Sequence, residues 1–254
     1  MVFGEQLTTA ANALSDESTG ASMRGTWAPL LGPDFTLHLG ASWMERVPSQ
    51  NNLTLGTGNN ISYTETVRFR AKPESNIIET RLIDTGATGI IDVENSQLWG
   101  AELGASAHNW LFNAEYINTS VSRRNGKDDL EFAGWFAQGA WTITGEDRSY
   151  QGNKGLFDGV KPAKPTTAGG YGAWELALRL SELDLSDGKK SLVAGKWRNE
   201  INGGEQRDLT VALNWYLTNA LRISANYVKV LDLNGGAYDG KDLDAVQMRF
   251  QLAY

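Results

Sequence analysis

Apolar and polar residues alternate one for one along most of this chain. In DFTLHLGASWM, Phe35, Leu37, Leu39, Ala41 and Trp43 form one set, against Thr36, His38, Gly40 and Ser42. In RDLTVALNWYL, Leu209, Val211, Leu213, Trp215 and Leu217 oppose Asp208, Thr210, Ala212, Asn214 and Tyr216; AWELALRLS and ALRISANYV read the same way. Successive side chains of a strand leave opposite faces, so this period writes one apolar and one polar face. No window sustains a 3.6-residue period, and no run of about 18 apolar residues could form a transmembrane helix. The chain therefore reads as all-β. Further strands are expected at about 1–9, 21–29, 61–71, 77–85, 97–107, 110–119, 130–143 and 243–254, about twelve in all.

A soluble sandwich and a membrane barrel both satisfy that alternation. The connections separate them. PLLGP, KPESN, AHNW and LTNA are short, whereas AANALSDESTG, VPSQNNLTLGTGNN, TSVSRRNGKDD, DGKKSLVAGKWRNEINGGEQ and LNGGAYDGKD are long and polar. Short and long connections largely alternate, which is the asymmetry of a transmembrane antiparallel β-barrel with short periplasmic turns and long external loops. The whole of 1–254 is expected to be one such barrel domain. It would sit in outer-membrane lipid, with its last strand ending on an aromatic residue, Tyr254, that the barrel-assembly machinery reads. The N-terminus shows neither a basic stretch nor a long apolar run, so no signal peptide is visible.

Parity then assigns a lumen face. It carries Arg24, Arg68, Arg70, Arg81, Arg179, Arg222 and Arg249 with Glu79, Glu102, Glu115 and Glu175, although the chain's formal net charge is −7. Guanidinium groups stay charged and pair readily with oxyanions, so a water-filled tube lined this way favours small anions, phosphate-like or chloride. If the arginines instead pair with the glutamates, they only brace the wall. The stretch 145–172 interrupts the alternation of loop lengths on the short-turn side. With Arg148, Lys154, Lys161 and Lys164 it reads either as a constriction folded into the pore mouth or as a long exposed turn.

Catalytic and cofactor signals are thin. There are no cysteines and only two histidines, His38 and His108, without HExxH spacing. The net negative charge argues against a nucleic-acid partner. No catalytic residue, cofactor or metal is expected. The alternatives are a general or carbohydrate porin, a soluble carbohydrate-binding sandwich, and an outer-membrane hydrolase using His38.

The combination TGEDRSYQGNKGLFDGVKPAKP, GAWELALRLSELDL, LNWYLTNALRISANYV and RFRAKPES followed by TRLIDTG resembles the phosphate-selective porin O and P family over roughly 60–254. The resemblance implies a sixteen-stranded, usually trimeric outer-membrane porin that conducts anions, often phosphate or polyphosphate, along a ladder of Arg and Lys. It also implies that this chain corresponds to the C-terminal part of such a porin and lacks N-terminal strands.

Overall fold

The computed structural model describes the chain except residues 5–17, 49–51, 56–60, 76, 194 and 254. Tyr254 and most of the strand expected at 1–9 thus lie outside the described residues. The architecture is one antiparallel sheet in chain order: β1 (Val2–Gly4), β2 (Thr19–Leu31), β3 (Phe35–Val47), β4 (Val93–Ala107), β5 (Trp110–Arg123), β6 (Leu130–Thr142), β7 (Ala173–Asp187), β8 (Ile201–Tyr216), β9 (Leu221–Asn234) and β10 (Asp244–Leu252). No α-helix occurs among the described residues. The nine strands after β1 are 9 to 16 residues long, enough to cross a bilayer that tilted strands span in about 9–11.

The connections segregate as expected. The connections after β2, β4, β6 and β8 leave from one rim, and those after β3, β5, β7 and β9 from the other. The faces segregate too. Outward residues include Trp99 (56% exposed), Leu178 (53%) and Phe250 (71%). A sandwich would cover that face with a second sheet; here it is bare. Aromatic residues border it. Trp110 stacks on Trp141 at 5.6 Å and Trp174 on Trp215 at 5.1 Å near the short-turn rim. Trp43 meets Trp99 at 6.2 Å, and Tyr116 pairs with Trp135, nearer the other rim. Above the second row Arg207 pairs with Glu182 at 2.5 Å and with Asp232 at 3.3 Å. Trp215 and Arg207 are about 26 Å apart along β8, or about 20 Å of height at a tilt near 40°. That is an apolar band bounded by interfacial aromatics and then by charge.

Two expected strands, 61–71 and 77–85, are not part of this wall. Among the described residues that follow β3, 65–92 turn inward, and the pairings are short: Asn52–Leu55 with Ile61–Thr64, Thr66–Val67 with Ile90–Ile91, and Arg70–Ala71 with Ile83–Asp84. Val67, Phe69 and Ala71 do alternate with Arg68 and Arg70, but the apolar set packs inside the trough rather than against lipid. It joins Leu82, Ile83, Ile90, Val93, Val121, Leu130, Phe132, Leu185, Val230 and Leu233 in one core. KPESN is accordingly no hairpin turn; its Pro73 is fully buried within the inserted segment. Gly203 on β8 lets wall and insert approach closely: an added Cβ would lie 2.5 Å from the Leu185 carbonyl oxygen of β7 and 3.2 Å from the Asp84 carbonyl oxygen of the insert.

The wall is an open trough: no ladder joins β10 to β1 or β2 among the described residues. From β2 to β10 there are nine consecutive antiparallel strands, so β2 and β10 run in the same direction and cannot pair antiparallel.

Candidate functional site

The concave face holds a cavity of about 590 Å³. Even positions of β2, β3, β4, β6, β8 and β9, and odd positions of β5, β7 and β10, bring polar side chains into it. Arg24, Arg148, Arg179, Arg222 and Arg249 line it together with Glu102, Glu115 and Glu175. Five arginines against three glutamates leave two positive charges in excess.

Several of these cations are already held. Arg24 donates from Nε to Glu102 at 2.7 Å. Arg179 donates from Nε to Glu74 of the inserted segment at 2.5 Å and lies 3.7 Å over the Phe136 ring. Glu74 also accepts from Ser181 and Thr210, each at 2.6 Å, so it fastens the insert to β7 and β8. Glu74 was not expected from the sequence; the apolar residues on lumen parity near the long-loop rim, such as Phe132, were the available sign that something packs there. Arg148 pairs with Glu175 and donates to the Asp158 carbonyl at 2.8 Å, while its Nε has no partner among the described residues.

Arg222 differs. Its Nη2 donates to Gln251 at 2.7 Å and its Nη1 to the Tyr216 hydroxyl at 3.4 Å; neither partner is charged. Arg148 reaches the same hydroxyl at 3.4 Å. Two guanidiniums therefore converge on one phenol oxygen, with Glu175 as the local carboxylate. Arg249 lies two residues before Gln251 on the same face of β10 and also lines the cavity.

The remaining expected residues sit elsewhere. Arg68, Arg70 and Arg81 belong to the insert and do not line this cavity. Arg68 holds Asp84 with a two-pronged contact, its Nε at 2.8 Å, and this keeps the Asp84 carboxyl below the usual carboxylate range. Residues 145–172 divide between the concave face and the surface. A hairpin pairing Tyr150–Gln151 with Leu156–Phe157 enters the mouth. Phe157 fills the notch left by Gly104, where a Cβ would lie 2.8 Å from its ring, and the Tyr150 hydroxyl is 2.7 Å from His38 Nδ1. Lys154, Lys161 and Lys164 stay exposed, Lys161 at 3.7 Å from Asp158.

Ion pairs also lace the opposite rim. Arg123, with a side chain only 2% exposed, meets Glu200 at 2.7 Å; Lys127 meets Asp92 at 2.9 Å. Each cation holds its partner carboxyl below the ordinary range.

Comparison with known proteins supplies the rest. Residues 2–254 match the profile of the phosphate-selective porin O and P family. Porin O of Pseudomonas aeruginosa is 30% identical over 166 residues, which is 63% of this chain and 36% of that protein. An uncharacterized protein of Caulobacter vibrioides is 31% identical over 224 residues, 87% of this chain and 38% of that protein. The chain thus spans under two fifths of the length of these relatives.

Proposed function

The chain belongs to the phosphate-selective porin O and P family, and from that premise we propose that it forms wall and constriction of a passive, anion-preferring outer-membrane pore. The bare apolar band between two aromatic rows supports the membrane setting. Small anions, phosphate or chloride, are the proposed solutes, and the work is conduction rather than catalysis. A homotrimer and recognition by the barrel-assembly machinery through Tyr254 belong to the same proposal.

The observation that carries the anion preference is the pair Arg148 and Arg222 on the Tyr216 hydroxyl, with a single carboxylate beside them and Arg249 close by. A guanidinium bonded to neutral partners keeps its full charge for a passing oxyanion. Arg24 and Arg179, bonded to Glu102 and Glu74, favour a second reading, a general porin of weak selectivity.

The test is the reversal potential of the refolded protein in a planar bilayer under a KCl gradient. The expected potential lies toward the chloride limit, phosphate blocks the chloride current, and Arg222→Ala with Arg249→Ala moves the potential toward zero. A wild-type potential near zero would select the general porin.

A further inference from the structure

The free positive charge of the main cavity sits at one end of it. Arg249 is exposed on the concave face and has no hydrogen bond or ion pair among the described residues. Arg222, whose partners are neutral, is beside it on the adjoining strand. Of the cavity's carboxylates, Glu102 and Glu175 are engaged by Arg24 and Arg148, and Glu115 lies on β5, across the trough from β10. An inorganic anion held by Arg222 and Arg249 would leave most of the 590 Å³ empty.

The rest of the cavity is built of different chemistry. Asn226 follows Ser224, the register partner of Arg249, by two residues on β9, so it is the diagonal neighbour of Arg249 on the same face. Ala212 of β8 lies opposite Asn226, and Ala177 of β7 opposite Ala212. These two methyl groups make a smooth floor about 10 Å across, two strand spacings. The Phe157 ring of the hairpin packs at its far side, against Ala177. Gln138 and Asn113, paired in register on β6 and β5, stand beside that ring. Asn226, Gln138 and Asn113 are half-buried, face the cavity, and make no side-chain hydrogen bond to the described residues. Each amide offers two donors and an acceptor. Free amides around a small apolar floor and an aromatic ring suit a hydroxylated ring with apolar C–H faces.

We propose that this cavity takes phosphate monoesters of small sugars. The phosphate sits on Arg222 and Arg249, the sugar hydroxyls meet Asn226 and Gln138, and a C–H face of the ring lies over Ala212 toward Phe157. This inference rests on the anion path and names the solute class that fills it: a charged head for the arginines and a neutral polar body for the amides.

The experiment is calorimetric titration of the detergent-refolded chain with glucose 6-phosphate, phenyl phosphate, inorganic phosphate and glucose. Phenyl phosphate keeps the charge and the ring but offers the amides no hydroxyls. Glucose 6-phosphate is expected to bind about tenfold tighter than each of the other three, the worth of one or two added hydrogen bonds. Asn226→Leu and Gln138→Leu, each checked for an unchanged far-ultraviolet β spectrum, are expected to remove its advantage over phenyl phosphate. Equal affinity for the three phosphates overturns the proposal and leaves the anion path standing. Glucose binding as tightly as its phosphate, or a folded Asn226→Leu and Gln138→Leu pair that both keep the preference, overturns it as well. No heat with any probe also overturns it, and a reversal potential near zero would then remove the anion path too.

Discussion

The Tyr216 hydroxyl joins three charged side chains, Arg148, Arg222 and Glu175. Glu175 is 2% exposed and accepts from Asn214 at 2.9 Å and from the Tyr216 hydroxyl at 3.2 Å. Glu175→Gln keeps the shape and removes the charge. It is expected to cost about 1–3 kcal/mol of stability, since a buried guanidinium loses its counter-charge. It is also expected to shift the reversal potential toward the chloride limit; thermal melts and a KCl gradient read the two effects. That Arg24, Arg179, Arg222 and Arg249 share one face of the sheet was legible from parity alone. Their partners were not, because Glu74 and Gln251 are 105 and 29 residues away from the arginines they meet, and parity gives a side chain's face but not its neighbour.

Elements decide what fills the trough. One insert enters from each rim, and each depends on a few packing contacts. Ile83 is fully buried between insert and wall. Ile83→Ala is expected to cost about 2–5 kcal/mol as a cavity-forming core substitution, and to speed hydrogen exchange of 66–91 before that of β8. Gly104→Val is expected to unseat the Tyr150–Phe157 hairpin and raise single-channel conductance, because its side chain takes the space of the Phe157 ring. The carboxyls of Asp84, Asp92 and Glu200 at the long-loop rim are depressed by Arg68, Lys127 and Arg123. Their stabilisation is therefore complete above the unfolded carboxylate values near pH 4 and fades as pH falls through the lower folded values. Exchange at this rim is expected to be unchanged between pH 8 and 5 and, corrected for intrinsic rates, to quicken toward pH 3. The sequence showed the 145–172 stretch as anomalous by its length. It hid the other insert, because residues 67–71 alternate in the same way whether the apolar side meets lipid or a protein core.

At the scale of the whole molecule, the outer face needs apolar surroundings and the wall needs its edges paired. Val246, Met248, Phe250 and Leu252 on β10 are 64–78% exposed, and among the described residues β10 pairs only with β9. An unpaired edge is not tolerated in hydrocarbon. For the chain alone in micelles, the β10 amides that face away from β9 are expected to exchange rapidly while β8, flanked on both sides, stays protected. Protection of the β10 edge in lipid bilayers would show that another strand has joined it.

Local chemistry alone determined much of this protein. The alternation of side chains wrote two faces, loop lengths wrote two rims, and both depend only on residues adjacent in sequence. That is why β2 to β10, the shared face of their arginines and the all-β architecture could be read directly. Tertiary structure decided the rest: which alternating segments join the wall and which fold inside it, and which arginines are neutralised by a carboxylate far along the chain. Those outcomes rest on contacts between distant residues, set by burial and charge pairing inside the trough, and no local pattern encodes them.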